Sequence, residues 1–248
     1  MRVERLVELV RMHRPCVVLT GAGISTESGI PDFRSPTGIW AQYDPMEYAT
    51  IDAFLADPVK VWDFYGRRLD LLAEAQPNDG HVALAELERR GWIDAVITQN
   101  IDRLHERAGS EALVEVHGSI RTSSCLDCGE VVPFADVVRL LESASAPECP
   151  SCGRILKPDV VMFGELLPET AIARATQLAA EARLLLVVGS SLEVYPAAGL
   201  PLETLATGGI LAIVNRGATQ FDRRASVMID AGAGETLRAL AVGLPARP

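Results

Sequence analysis

The sequence predicts a doubly wound α/β fold, a parallel Rossmann-like sheet joined to a smaller lobe made of two insertions. Three observations carry this expectation. Short continuous apolar runs recur with helical patterns between them, a glycine-rich turn directly follows the first run, and two segments break the rhythm. Alternating strands and helices, with strands apolar on both faces, mark a parallel sheet covered on both sides.

In chain order, Val3, Leu6, Val7 and Val10 fall on one helical face, and Pro15 closes that helix. Cys16–Thr20 follows as the first strand, with Cys16 a small buried hydrophobe. Further strands are expected at 94–98, 113–117, 160–163, 184–188 and 210–214, and helices at 82–90, 101–108 and 169–182. Residues 36–78 hold no good strand but carry Trp40, Tyr43, Tyr48, Phe54, Trp62, Phe64 and Tyr65, while 121–157 hold paired cysteines. The expected organisation is therefore discontinuous. Residues 1–35, 79–120 and 158–248 form the sheet domain; 36–78 form a helical insertion and 121–157 a zinc-ribbon module, which together make the small lobe. Ligands of such folds sit beyond the carboxyl ends of the strands, so a cleft between the lobes is the expected site.

The net charge of −10 argues against a nucleic-acid partner and favours basic ones, such as lysine-rich tails. No apolar run approaches the ~18 residues of a membrane span, and the charged N-terminus lacks a signal-peptide core. A cytoplasmic monomer without a membrane partner is expected.

Four of the five cysteines form the pairs Cys125-Leu126-Asp127-Cys128 and Cys149-Pro150-Ser151-Cys152, twenty residues apart. Two Cys-x-x-Cys turns place four thiolates around one tetrahedral metal, with no position left for water. The expected ion is a structural zinc; incidental cysteines or a redox pair are the alternatives. The turn Thr20-Gly21-Ala22-Gly23-Ile24-Ser25 suits a backbone that approaches a pyrophosphate. Thr26 stands at the third glycine of the dinucleotide fingerprint, and no carboxylate follows a second strand, so a plain tight turn remains an alternative for this loop alone. Gln99, Asn100, Asp102, His117, Ser190, Ser191 and Asn215 all sit at expected strand ends.

Residues 21–34, Gly-Ala-Gly-Ile-Ser-Thr-Glu-Ser-Gly-Ile-Pro-Asp-Phe-Arg, resemble the sirtuin family. So do Thr98-Gln99-Asn100-Ile101-Asp102-Arg103-Leu104-His105, Val116-His117-Gly118-Ser119, Pro158-Asp159-Val160-Val161-Met162-Phe163-Gly164-Glu165, Gly189-Ser190-Ser191-Leu192 and Val214-Asn215-Arg216-Gly217, in the family's order. The resemblance spans about residues 5 to 240. It implies an NAD-dependent protein-lysine deacetylase that consumes NAD and acts on acylated lysine-containing proteins. The acyl oxygen attacks the ribose as nicotinamide leaves, and free lysine and O-acyl-ADP-ribose are released.

Carried over position by position, the resemblance makes His117 the general base. NAD would be touched by Gly21, Ala22, Gly23, Thr26, Asp32, Phe33, Arg34, Gln99, Asn100, Ile101, Asp102, Gly189, Ser190, Ser191, Asn215, Arg216 and Gly217. Asp102 would meet the nicotinamide carboxamide, and Gly232 and Ala233 would lie near the adenine. Val160, Val161, Phe163, Gly164 and Glu165 would pair with substrate backbone, opposite Val194. Of the other histidines, His13 is expected at the end of the first helix, with His81 and His105 structural.

Tyr65 and Arg68 resemble the Tyr-x-x-Arg of sirtuins that remove succinyl or malonyl groups. However, Asp32 replaces the usual Thr of those relatives, and 130–168 looks more like ordinary deacetylases, so deacetylation is the default. A mono-ADP-ribosyltransferase on the same fold, an NAD dehydrogenase and a non-catalytic zinc-ribbon binding module are the rival readings. The incomplete glycine fingerprint disfavours the second, and the acidic charge disfavours the third.

Overall fold

Unbroken apolar stretches become the central strands, because only a strand with helices on both faces buries every side chain. A computed structural model describes residues 2–246, apart from the side chain of Asp70. Met1, Arg247 and Pro248, which the expected domain limits include, lie outside the described residues. The chain opens with α1 (Arg2–Met12) and β1 (Cys16–Thr20), then α2 (Pro45–Tyr48), α3 (Ile51–Ala56) and α4 (Pro58–Glu74). It returns through α5 (Asp79–Arg89), β2 (Ala95–Thr98), α6 (Leu104–Ala108) and β3 (Leu113–Glu115). Next come β4 (Gly118–Cys125), β5 (Val131–Pro133), α7 (Phe134–Leu141) and β6 (Leu156–Val160). The last part comprises α8 (Glu169–Glu181), β7 (Leu184–Val188), α9 (Leu200–Ala206), β8 (Ile210–Val214), β9 (Ala225–Ile229) and α10 (Ala233–Gly243). Among the described residues no helix is long and apolar enough to cross a membrane.

The large sheet has the order β3-β2-β1-β7-β8-β9, with every neighbouring pair parallel. Side chains alternate between its two faces. Leu184, Leu186 and Val188 of β7 pack with α1, α5 and α10 through Leu6, Leu84 and Leu237. Leu185 and Val187 face the other way, onto Ala175 and Leu178 of α8. The doubly wound fold is thus present, and strand order reverses between β1 and β7.

The helical insertion is punctuated by polar caps that take up the free N–H groups of each first turn. Asp44 caps α2 through Met46 N, Thr50 caps α3 through Ala53 N, and Asp57 caps α4 through Lys60 N. The insertion shares one core with a three-stranded sheet of order β5-β4-β6. Trp62, 1% exposed, lies in this core with Phe54, Val61, Cys125, Cys149, Leu156 and Met162, and its indole N–H donates to Leu156 O at 2.7 Å.

Several expectations are corrected. The strand placed at 160–163 is not part of the parallel sheet; the segment that ends at Val160 is β6, antiparallel to β4. The strand expected to reach His117 stops at Glu115, leaving His117 in the turn before β4. The helix expected from Ile101 starts at Leu104, because Asp102 Oδ1 accepts Leu104 N–H at 2.9 Å and Arg103 adopts a left-handed φ of 64°.

Candidate active site

The reversal of strand order opens a crevice between the carboxyl ends of β1 and β7, where doubly wound folds take their ligands. Three glycines let the backbones meet there. A Cβ on Gly21 would lie 2.8 Å from Gly189 O, one on Gly23 2.8 Å from Gly189 Cα, and one on Gly189 2.3 Å from Ile24 N. Gly21 N and Gly23 N donate to Val188 O and Gly189 O at 3.1 and 2.8 Å. The Gly21 and Gly23 N–H groups tie the loop to the end of β7, and the missing side chains permit the close fit.

Around this loop the strand ends converge. Gln99 Nε2 donates to Ser190 Oγ at 2.9 Å, and Gln99 N to Thr20 O at 3.0 Å. Beneath them, Asp102 is 5% exposed and its Oδ2 accepts from Ser25 Oγ at 2.7 Å. Asn100 Nδ2 donates to Ser25 Oγ at 3.1 Å and to Gly21 O at 3.2 Å. Burial raises the Asp102 pKa, opposed by the Leu104 N–H and the Ser25 hydroxyl. Ser25 is a site residue that sequence reasoning missed, although it lies inside the glycine motif.

His81 and His105 were expected to be structural, and both are buried, but they form the floor of this site. Their rings meet edge to face at 4.8 Å. His81 Nε2 lies 3.5 Å from Ser25 Oγ, and His105 Nε2 lies 2.9 Å from Thr20 Oγ1. Burial pushes His81 down to about 4 and His105, beside it, to about 3. Both rings are therefore neutral in the fold but take up protons on unfolding below the ordinary imidazole range near 6.5. The unfolded chain then binds more protons, so stability is full above about pH 6.5 and falls as the pH drops toward those values. Melting temperature measured from pH 7 to pH 4.5 is expected to decline steadily; a flat profile would contradict the buried neutral pair.

His117 hangs in the turn between β3 and β4. Its Nδ1 is 3.0 Å from Gln99 O, a carbonyl that can only accept, so Nδ1 carries the proton and Nε2 keeps its lone pair. Burial lowers its pKa, partly offset by that hydrogen bond. Next to it, Val161 N donates to His117 O at 2.8 Å. Residues 162–165 form a turn closed by Glu165 N and Met162 O at 3.1 Å, with Gly164 at φ 90°. Phe163 is 39% exposed, and its N–H and C=O pair with Ala49 O and Ile51 N. The Glu165 carboxylate points back into the lobe, accepting Met162 N–H at 2.8 Å. Val194 is half-buried in a loop.

The other expected residues lie in the segments that follow β1, β2, β7, β8 and β9. Asp32 Oδ1 accepts the N–H groups of Arg34 and Ser35 at 3.0 and 2.8 Å, shaping its own loop. Phe33 lies against Trp40, and Arg34 pairs with Glu193 at 2.9 Å, with the two side chains 38% and 59% exposed. Ala22 is half-buried and Thr26 exposed, its hydroxyl on Gly23 O. Ile101 packs beside Tyr65 and Val160, and Ser191 Oγ donates to Glu193 at 3.3 Å. Asn215 Nδ2 closes the next loop onto Arg216 O and Gly217 O at 3.1 and 3.0 Å. Gly232 and Ala233 begin α10, where a Cβ on Gly232 would meet Glu27 Oε1 at 2.9 Å and Arg216 at 3.1 Å.

On α4, burial raises the Tyr65 pKa, tempered by nearby Arg68. The Arg68 guanidinium lies 3.7 Å over the Phe64 ring and 5.0 Å over Tyr43, and donates to Phe64 O. Among the described residues it has no carboxylate partner.

In the small lobe the four cysteine sulfurs all lie within 4.8 Å of one another, with Cys125–Cys152 at 3.5 Å and Cys128–Cys149 at 3.6 Å. Tetrahedral zinc with bonds near 2.3 Å needs S–S edges of about 3.8 Å, so the donor set fits zinc. Each pair closes the same knuckle: Gly129 N donates to Cys125 O and Gly153 N to Cys149 O, with φ of 77° and 74°. The glycine after each pair was a further sign of metal turns in the sequence. Backbone N–H groups, that of Cys128 first, bring the Cys125 thiol down to about 7, so this sulfur becomes thiolate readily.

Comparison with known proteins agrees with this geometry. A family model described as the Sir2 family matches residues 21–196. An NAD-dependent protein deacetylase of Thermotoga maritima is 46% identical over 222 residues, covering 90% of each chain. A solved Sir2 histidine-to-alanine variant, with a deacetylated p53 peptide and 3'-O-acetyl ADP-ribose, is similar at a TM-score of 0.95 and 43% identity over 99% of this chain and 100% of its own. A Sir2–p53 peptide–NAD+ complex gives 0.89 and 44% over 96% of each.

Proposed function

The chain belongs to the Sir2 family, and from that premise we propose that it is an NAD-dependent protein-lysine deacetylase with His117 as general base. The observation that carries this reading is the His117 ring, whose Nδ1 is committed to Gln99 O while Nε2 is left to accept a proton beside the crevice. NAD, when bound, supplies the ribose carbon that takes up the acyl oxygen as nicotinamide departs. Asp102, fixed by Ser25 and Leu104, holds the nicotinamide carboxamide, for which its carboxylate retains unused lone pairs. Gly21, Ala22, Gly23, Thr26, Asp32, Phe33, Arg34, Gln99, Asn100, Ile101, Gly189, Ser190, Ser191, Asn215, Arg216 and Gly217 line the rest of the cofactor path, with Gly232 and Ala233 at its adenine end. His117 withdraws a proton from a ribose hydroxyl. The turn 160–165 and Val194 take the peptide backbone between them, as an added strand. Cys125, Cys128, Cys149 and Cys152 hold a structural zinc.

Mass spectrometry of acetylated peptides, with and without NAD, tests the reading. The expected result is NAD-dependent loss of acetyl with formation of O-acetyl-ADP-ribose. Transfer of ADP-ribose to the peptide, without acetyl loss, would favour the mono-ADP-ribosyltransferase instead.

A second reading, removal of succinyl or malonyl groups, is favoured by one observation, the half-buried Arg68 with no carboxylate partner among the described residues. If Arg68 and Tyr65 receive an acyl carboxylate, Arg68→Met cuts kcat/KM for succinyl-lysine by about tenfold or more, since a charged hydrogen bond contributes ~1.5–3 kcal/mol. The acetyl reaction keeps its rate. Equal losses on both substrates would show that Arg68 merely packs on Phe64 and Tyr43.

A further inference from the structure

Lys157 is one of only two lysines among 23 basic side chains, and it is buried. Its side chain is 8% exposed, and its ammonium donors meet Pro158 O at 3.1 Å, Val160 O at 2.9 Å and Glu165 Oε2 at 2.9 Å. An ammonium has three donors, so three acceptors satisfy it fully, the condition under which a buried charge is tolerated. The same Glu165 oxygen accepts Met162 N–H. One cation therefore ties the end of β6 to the far side of the turn that carries Phe163.

We propose that Lys157 is a positioning residue for acyl-peptide recognition. Through Glu165 it holds the turn 161–165 in the shape that receives substrate backbone. This deepens the deacetylase reading and rests on it for the assignment of the turn to the peptide. Without the cation, the Glu165 carboxylate, whose side chain is 24% exposed, loses its ion-pair partner. It then turns to solvent, releasing Met162 N–H and with it the lower side of the turn. The upper side stays pinned through Ala49, Ile51 and the His117 carbonyl, so the turn loosens and the lobe does not dissolve. The crevice at the ends of β1, β2, β7 and β8 is built from other residues and keeps its affinity for NAD.

The test compares wild type with Lys157→Met, Lys157→Arg and Glu165→Gln. Binding of a fluorescent acetyl-lysine peptide is measured by anisotropy without NAD, next to both KM values and thermal melting. Lys157→Met is expected to weaken peptide binding about tenfold or more, the scale of one charge-assisted contact, with the KM for NAD within about twofold. Lys157→Arg, which keeps the charge, restores most of the peptide affinity. Unchanged peptide affinity in Lys157→Met overturns the proposal, as does an arginine variant no better than methionine. Parallel loss of peptide and NAD affinity with a collapsed melting transition also overturns it, since the lysine would then hold the fold. Should Lys157→Met not fold, Glu165→Gln decides. It retains an acceptor for Met162 N–H but no charge, and weaker peptide binding at native melting temperature is expected; unchanged binding overturns the proposal. Wild type that binds the peptide but never deacetylates it would overturn the parent reading instead.

Discussion

His117→Ala is expected to slow deacetylation of an acetyl-lysine peptide by about a hundredfold to ten-thousandfold, the usual contribution of a positioned base. NAD affinity should stay within about twofold. The separation follows from geometry. His117 stands in the β3–β4 turn and is bonded to Gln99 O, whereas the loop at Gly21–Gly23 is held by backbone hydrogen bonds and Gln99 reaches Ser190 through its side chain. Because burial lowers its pKa, the wild-type ring is neutral and competent as a base at pH 7. Its acid limb in kcat/KM then lies below the ordinary value near 6.5. Steady-state rates across pH, with calorimetric titration of NAD, check both halves. Deacetylation within threefold of wild type would remove His117 from the base position.

Cys149→Ala, or extraction of the metal by a chelator, is expected to lower the melting temperature by about 10 °C or more. Loss of a structural metal belongs to the few changes that exceed ~4 kcal/mol, and about 2–4 °C accompany each kcal/mol in a chain of this size. The damage reaches past the ribbon because Cys125 and Cys149 share one core with Trp62, Phe54 and Met162. On the proposed assignment of the turn after Met162 to the peptide, peptide binding should fall with the metal, because Met162 belongs to the same core. Metal analysis alongside melting and peptide anisotropy tests this; a zinc-free chain that melts and binds like wild type would sink it.

How much of this was legible beforehand follows from chemistry. β1, β7 and β8 were plain in the sequence, since a strand buried on both faces reads as an unbroken apolar run. β9, at the sheet edge, escaped because Ala225–Ile229 alternates buried and partly exposed positions. β4 carries Ser119, Arg121, Thr122, Ser123 and Ser124, a composition that signals no strand by itself. The zinc cluster was legible because ligand spacing is local, and His117 because a run of motifs surrounds it. Lys157 and the floor at His81 and His105 were not. Burial depends on partners far away in sequence, and a lysine or histidine alone gives no sign that it will leave water.

The scarcity of lysine also bears on the chain's own chemistry. Lys157 has its ammonium enclosed, and Lys60 is half-buried, paired with Glu47 at 2.8 Å and set over the Tyr48 ring. Arginine, which supplies nearly all the remaining positive charge, stays protonated and does not form stable acyl adducts under the conditions that modify amines. Reactive acyl donors therefore find Lys60 as the one side-chain amine within reach. A catalyst that strips acyl groups from other chains thus offers almost none of its own for modification, and its copies scarcely compete with the proteins it serves.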